Sequence, residues 1–132
     1  MGKVRRWQAG AAALNSRQLG QQAEEHALGF LARQGLQLID RNWHCRYGEL
    51  DLIMLERTTL VFVEVRYRSS AGFGGALESI TPVKQEKIML AAQSFLQQHQ
   101  QWQNSPCRFD VMAYNGNHIQ RDFQWLKHAF TP

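Results

Sequence analysis

Glu49-Leu-Asp51-Leu-Ile-Met-Leu55, followed after a short turn by Leu60-Val-Phe-Val-Glu64-Val-Arg66-Tyr-Arg68, is the stretch that decides the fold. The second run is apolar at both alternating positions up to Glu64, which is typical of a strand that is buried on both faces. The first run is similar in composition, and residues 56–59 between them are enough for a turn. We therefore predict two neighbouring strands that pair through this turn.

Charged side chains interrupt both predicted strands on one face. Because side chains alternate with a period of two, Glu64 and Arg66 share a face with Phe62. Glu49 and Asp51 likewise share a face of the preceding strand. If the strands pair, the carboxylates of Asp51 and Glu64 converge at one end of a small sheet. Two ionised carboxylates a few ångströms apart repel by about 4 kcal/mol at an effective dielectric near 20, so such a site usually recruits a cation or raises a pKa.

The net charge of +4 is concentrated at the start of the chain. Residues 1–20 contain four basic residues and no acid, whereas the rest contains 11 of each sign. From this we predict a flexible basic tail over residues 1–18 and a single domain over residues 19–132. Arg5 and Arg6 of the tail are candidate contacts to a nucleic-acid backbone. A solubilising tail explains the same charge equally well.

Several classes of protein are disfavoured by the sequence. No run approaches the roughly 20 apolar residues that span a bilayer, and residues 9–14 are too short for the core of a signal peptide. Cys45 and Cys107 lie far apart, so neither a disulfide framework nor a zinc site is indicated. We expect a cytoplasmic protein with reduced cysteines and no membrane partner.

The remaining pattern predicts an α/β domain in which helices flank a mixed sheet, in the order α-β-β-β-α-β-β. Thr81 and Pro82 are a strong helix start, with threonine as N-cap and proline at the first position, and Gly35 is placed to end the first helix. Asn115-Gly116 predicts a hairpin. The predicted elements besides the two strands above are a helix over 20–34, a strand over 36–43, a helix over 82–101, and strands over 108–114 and 118–126.

The spacing Asp51…Glu64-Val65-Arg66 resembles the signature of PD-(D/E)XK nucleases, with arginine in the lysine position. Gly20 and Glu24 in the first helix are similar to the extra helical glutamate motif of that superfamily, notably in archaeal Holliday-junction resolvases. At closer range the chain is identified as a member of the YraN family of small bacterial proteins. The resemblance covers about residues 20–113 and depends on these pieces: Gly20…Ala23-Glu24, Arg41-Asn42-Trp43, Gly48-Glu49-Leu50-Asp51-Leu52-Ile53, Val61-Phe62-Val63-Glu64-Val65-Arg66, Ile80-Thr81…Lys84 and Arg108-Phe109-Asp110-Val111.

The resemblance implies a restriction-endonuclease-like core that binds one or two Mg²⁺ or Mn²⁺ ions and hydrolyses phosphodiesters in DNA, including branched DNA. It also allows a homodimer, since the resolvases of this fold act as dimers. A metal-activated water would be the nucleophile. The implied metal ligands are Asp51, Glu64, the carbonyl group of Val65 and, directly or through water, Glu24. Glu49 and Gln85 are candidate auxiliary residues.

Arg66 departs from the superfamily pattern. An arginine is always charged, so it cannot act as a general base, but it can bind a phosphate through two parallel hydrogen bonds. This suits transition-state stabilisation in a nuclease, and it equally suits a module that binds nucleic acid without cleaving it. A protein–protein adaptor that retains the fold is a third alternative.

The charged residues also have purely structural explanations. Asp51 and Glu64 could form ion pairs with Arg66 and Arg68, although desolvation makes buried pairs inefficient for stability. Arg68, Lys84 and Lys87 are candidate contacts to nucleic acid, while a solvated face explains the two lysines equally well. For Asp110, beside Arg108, and for the aromatic residues we favour structural roles; the latter are Trp43, Tyr67, Phe109 and Tyr114.

Overall fold

The computed structural model describes residues 14–68, 75–116 and 118–132. Its elements confirm the predicted α/β order, with one short helix (α2) added before the second long helix. The helices are α1 (Ser16–Arg33), α2 (Gly75–Glu78) and α3 (Pro82–Gln98), followed by a 3-10 turn (Gln100–Trp102). The strands are β1 (Gln37–Cys45), β2 (Gly48–Glu56), β3 (Thr59–Arg68), β4 (Cys107–Asn115) and β5 (Phe123–Phe130).

The five strands form one mixed sheet in the spatial order β1-β2-β3-β4-β5. Strands β1, β2 and β3 form an antiparallel meander, and β4 pairs with β5 in the same antiparallel sense. Strands β3 and β4 are parallel, which requires a long crossover connection, and α3 provides it. The mixed sheet was predicted. Strands β2 and β3, which carry Asp51 and Glu64, are neighbours in its interior.

Helices cover both faces of the sheet, so the apolar residues form two clusters. Helix α1 packs on one face through Ala23, Ala27 and Leu31, together with Leu52 and Val63 of the sheet. On the other face α3 contributes a second set of apolar residues, which pack against Ile53 and Phe62 among others: Ile88, Ala91, Ala92 and Phe95. Because β2 and β3 are covered on both sides, their sequences are apolar at both alternating positions. Of the four aromatic residues assigned to the core, Phe109 and Tyr114 are buried, and Trp43 and Tyr67 are partly buried.

Local hydrogen bonds account for the helix ends. Helix α1 begins at Ser16, four residues before the predicted start, because Asn15 and Gln18 form a reciprocal capping box. Gly35 follows α1 with φ +99°, which confirms the predicted left-handed position. The Thr81 hydroxyl caps α3, whose first residue is Pro82, as predicted. None of the described helices is long and apolar enough to cross a bilayer. Residues 1–13 of the predicted tail lie outside the described residues.

The hairpin predicted at Asn115-Gly116 is present, since β4 and β5 pair in the antiparallel sense, but its connection is longer than a two-residue turn. Asn115 is still part of β4, and its side-chain oxygen accepts a hydrogen bond of 2.8 Å from the Ala76 backbone N–H. Gly116 has φ +81° and leaves the sheet, and a further turn around His118 precedes the next strand. Strand β5 therefore begins at Phe123, five residues later than the pattern predicted.

Candidate metal and phosphate site

The centre of the candidate site is the point where the pairing of β2 and β3 ends. The last paired residues toward this end are Leu52 and Val63. Just beyond them, the backbone N–H of Val65 donates a 2.9 Å hydrogen bond to Oδ2 of Asp51. The Asp51 side chain therefore takes the place of a backbone acceptor on the neighbouring strand. This fixes its carboxyl group beside Glu64, as the alternation of the sequence predicted.

Both carboxyl groups are held in an environment that disfavours their charge. Glu64 is only 6% exposed, and burial, together with the neighbouring charge of Asp51, raises the pKa of Glu64 to about 9. Burial also raises the pKa of Asp51, although its hydrogen bonds with Glu64 and with the Val65 N–H act in the opposite direction. The pair therefore favours the uptake of a proton or a cation.

Arg66 is the positive charge nearest to this pair. Its Nη1 atom lies 3.7 Å from Oε2 of Glu64, and its Nε atom donates a 2.9 Å hydrogen bond to the hydroxyl of Ser79. The charge of Arg66 lowers the pKa of Glu64, but burial and Asp51 outweigh it. A simple structural ion pair would leave Glu64 ionised at neutral pH, so pairing with Arg66 does not by itself explain this arrangement.

The two carboxyl groups open onto a cavity of about 230 Å³, which we call the carboxylate cavity. Two lysines from the start of α3 line it together with the acids and Arg66, so the structure brings together residues that are far apart in sequence. Its lining consists of Tyr47, Gly48, Glu49, Asp51, Glu64, Arg66, Lys84, Lys87 and Ile88. A small cavity that contains both acids and several cations can receive a divalent ion and a phosphate group together.

Glu49 lies at the rim of the carboxylate cavity. Its side chain is 38% exposed, and one carboxylate oxygen is 3.2 Å from Nε2 of His44. Burial and the nearby charge of Asp51 raise the pKa of Glu49. This position agrees with an auxiliary role beside Asp51.

Glu24 lies near Asp51 but does not line the cavity. Its charge contributes to the raised pKa of Asp51, and its carboxylate is 3.5 Å from Arg41, which makes a closer contact of 2.6 Å with Glu25. Across residues 14–68, 75–116 and 118–132, no group of three or more His, Cys, Asp or Glu side chains is placed to hold a metal ion. Of the two arrangements expected for Glu24, contact through water agrees better with this geometry than direct ligation.

The other predicted site residues lie apart from the carboxylates. The Gln85 side chain donates a 3.3 Å hydrogen bond to the Ile80 carbonyl group, within the loop that leads into α3. Arg68 is exposed and lines a different cavity. Arg5 and Arg6 lie outside the described residues. Sequence reasoning missed Ser79 and Tyr47, because neither belongs to a pattern that points toward the acids.

Asp110 forms a separate buried network and has the structural role that was predicted. It is fully buried and accepts hydrogen bonds from the Arg108 and Trp125 side chains, each at 3.0 Å, and from the His128 backbone N–H at 3.1 Å. Arg108 also contacts Glu56 at 2.6 Å. The acid is thus fully hydrogen-bonded and shares no residue with the carboxylate cavity.

Comparison with known proteins gives one consistent family. The model of a family described as "Uncharacterised protein family UPF0102" matches residues 23–114. A UPF0102 protein of Pseudomonas putida strain F1 is 58% identical over 120 residues, which are 90% of this chain and 98% of the relative. A UPF0102 protein of Stutzerimonas stutzeri is 51% identical over 115 residues, which are 87% of this chain and 96% of the relative. These matches confirm the resemblance to the YraN family.

Proposed function

We propose that this protein, which belongs to the uncharacterised protein family UPF0102, is a divalent-metal-dependent nuclease that acts on DNA. The observation that carries the proposal is the adjacency of Asp51 and Glu64 in a cavity that also contains Arg66 and two lysines. DNA, including branched DNA, is the substrate that the superfamily resemblance implies. A cytoplasmic location agrees both with a DNA substrate and with the free thiols of Cys45 and Cys107.

The chemistry of the donor atoms fits Mg²⁺ or Mn²⁺. Asp51 and Glu64 offer only oxygen atoms, and Mg²⁺ commonly binds one or two carboxylates while it retains waters and accepts phosphate oxygens. The buried pair lacks enough positive charge to keep both acids ionised, as the raised pKa of Glu64 indicates. A bound ion would supply Lewis-acid polarisation of the phosphate and would make a coordinated water more acidic.

Arg66 supports phosphoryl transfer without moving a proton. Its guanidinium group is permanently charged, and its hydrogen bond to Ser79 fixes the plane of the group. A fixed, partly desolvated cation stabilises the charge that develops on a phosphate in the transition state. Lys84 and Lys87 also line the cavity and can neutralise phosphate oxygens as more flexible point charges.

The same arginine favours a second candidate function, a module that binds nucleic acid without cleaving it. A lysine at this position could lose its proton and assist the attack of water, and Arg66 cannot. Its contacts with Ser79 and Glu64 serve binding and orientation equally well. Binding and cleavage must therefore be measured separately.

The test compares wild type with the Asp51→Asn and Glu64→Gln variants on supercoiled plasmid and on a four-way DNA junction, with Mg²⁺ or Mn²⁺. We expect nicking that both substitutions reduce by about 10³-fold, the order of magnitude for the loss of a major catalytic interaction. Glu56→Gln is the matched control, because Glu56 lies on β2, as Asp51 does, but at the far end of that strand, where it contacts Arg108. We expect it to retain nicking.

The outcomes separate the two candidate functions. Salt-sensitive DNA binding with no metal-dependent nicking would support the binding module and contradict the nuclease. Nicking that persists in Asp51→Asn and Glu64→Gln would show that the activity does not come from this site. A wild-type protein that neither binds nor cleaves DNA would contradict both.

A further inference from the structure

We infer that a second cavity, next to the carboxylate cavity, is a subsite for another phosphate of the nucleic-acid strand. This inference rests on the proposed function. The second cavity measures about 400 Å³, and we call it the arginine cavity. It is lined by Ser16, Arg17, Gly20, Val65, Arg66, Tyr67 and Arg68.

Arg66 connects the two cavities, since it lines both of them. A strand of nucleic acid that places one phosphate beside Asp51 and Glu64 can therefore place a neighbouring phosphate in the arginine cavity. The guanidinium fork matches phosphate oxygens better than an ammonium group does. The ligand class is a phosphodiester, held by its backbone and without regard to base sequence.

The charge of the arginine cavity indicates an anionic ligand. Three arginines from α1 and β3 line it, and none of the described residues that line it is acidic. Among the described residues, Arg66 contacts Glu64, whereas Arg17 and Arg68 form no ion pair. Residues 1–13, 69–74 and 117 contain no aspartate or glutamate, so they cannot supply the missing carboxylate.

The position of Arg17 costs stability without such a ligand. It lies in the first turn of α1, a turn that contains no acidic residue. The positive end of the helix dipole disfavours a cation at this end of a helix. The three guanidinium groups also repel one another. A bound phosphate would add attraction to each guanidinium group and to the positive end of the helix, and would so offset these repulsions.

Tyr67 provides an independent indication of a ligand. It lines the arginine cavity, and its hydroxyl oxygen is buried with no hydrogen-bond partner in the described part of the chain. Buried hydroxyl groups are normally paired, since an unpaired one loses its hydration without replacement. A phosphate oxygen could accept the hydrogen bond that this hydroxyl can donate only after the atoms that cover the hydroxyl move aside.

Gly20 shows that the helix side of the arginine cavity is open. A Cβ atom built at Gly20 would meet no heavy atom of the described residues within 4 Å. Among the described residues, the helix surface at this point therefore has room for at least a methyl-sized group.

The test measures the binding of fluorescein-labelled single-stranded and duplex oligonucleotides of about 20 nucleotides by anisotropy in EDTA, over a range of salt concentrations. Arg17→Gln/Arg68→Gln should bind about tenfold more weakly, and the slope of log K against log salt should fall by about 1 to 2. The matched control is Arg33→Gln/Arg57→Gln, which removes the same charge from two exposed arginines elsewhere. It should change binding by less than about twofold.

Tyr67→Phe distinguishes a ligand contact from general electrostatics and from misfolding. It keeps the ring and removes only the unpaired hydroxyl, so we expect a protein at least as resistant to urea as wild type. If the hydroxyl donates to phosphate, the variant should bind oligonucleotide about threefold to tenfold more weakly.

The inference is overturned if Arg17→Gln/Arg68→Gln binds as well as the control double variant, or if Tyr67→Phe binds like wild type. In either case the dependence of nicking on Asp51 and Glu64 would stand as a separate result. If free inorganic phosphate binds wild type with a Kd below about 1 mM and competes fully with oligonucleotide, the cavity is a site for a free anion instead. A wild-type protein that binds neither oligonucleotide in EDTA would overturn this inference, while metal-dependent nicking would still decide the proposed nuclease function by itself.

Discussion

Replacing Glu64 by glutamine is expected to stabilise the metal-free protein at neutral pH, although it removes a residue of the site. Burial beside Asp51 raises the pKa of Glu64 from 4.5 to about 9. A group whose pKa is raised on folding contributes stability below its unfolded pKa and loses that contribution as pH rises. The stability of the wild type should therefore fall between pH 4.5 and pH 9, the window that this shift defines.

The size of the effect follows from linkage. Each pKa unit corresponds to about 1.4 kcal/mol, so keeping Glu64 protonated at pH 7 costs about 3 kcal/mol relative to the unfolded chain. Glutamine has the shape of the protonated acid and avoids this cost. Burial raises the pKa of Asp51 as well, so the free-energy cost of the two neighbouring charges is divided between both acids. We therefore expect the unfolding free energy of Glu64→Gln to exceed that of wild type by about 2 to 3 kcal/mol.

Urea denaturation in EDTA at pH 5 and pH 7.5 measures this gain. The unfolding free energy of Glu64→Gln should exceed that of wild type by less than about 1 kcal/mol at pH 5 and by about 2 to 3 kcal/mol at pH 7.5. With a urea m-value of about 1 to 2 kcal/mol/M, the midpoint at pH 7.5 should rise by roughly 1 to 3 M.

Glu56→Gln is the control, because the hydrogen bond from Arg108 lowers the pKa of Glu56. Stability from a lowered pKa is present above the unfolded value of 4.5 and is lost only below it. This variant should therefore be destabilised by similar amounts at both pH values. A loss of stability in Glu64→Gln at pH 7.5 would instead mean that Glu64 is ionised in the folded protein and stabilised by Arg66, and it would contradict the raised pKa of Glu64.

Three further predictions concern parts of the fold outside the site, all measured by urea denaturation. Asp110→Asn should lower the unfolding free energy by about 3 kcal/mol, because it leaves the mostly buried Arg108 without its fully buried partner; a loss below about 1 kcal/mol would contradict the network. Burial and the nearby charge of Arg33 lower the pKa of His26, so wild type should lose stability as the pH falls below the unfolded value of 6.5, and His26→Gln should lack this loss. An unchanged pH dependence in that variant would exclude His26 as its source. Gly35→Ala should cost about 1 kcal/mol, since φ is +99° there, and a stabilised variant would contradict the helix-end assignment.

The elements that could be predicted from the sequence are those fixed by local chemistry. The Thr81-Pro82 start of α3 and the left-handed Gly35 depend on caps formed within a few residues. The central strands were predictable because burial on both faces leaves an apolar run. The length of the connection after Asn115 was not predictable, and the hydrogen bond of that side chain with the Ala76 backbone joins distant parts of the chain.

In the candidate site, too, the features that follow from local patterns were predictable, and those that depend on contacts between distant elements were not. Alternation along two strands was enough to place Asp51 beside Glu64, and the start of α3 brings Lys84 and Lys87 to the same cavity. The sequence could not show that Ser79 fixes Arg66. Nor could it show that Arg17 and Tyr67 meet at one cavity, since that juxtaposition depends on how α1 packs across the end of β3.

Binding of a metal ion by the two carboxylates is measured most directly by the anomalous density of a crystal soaked in Mn²⁺ at neutral pH. We expect a peak in contact with the carboxylate oxygens of both Asp51 and Glu64, and we expect it to be lost in Glu64→Gln crystals. A soaked crystal with no peak at this position, in which Glu64 bonds only to Arg66, would contradict metal binding by the two carboxylates.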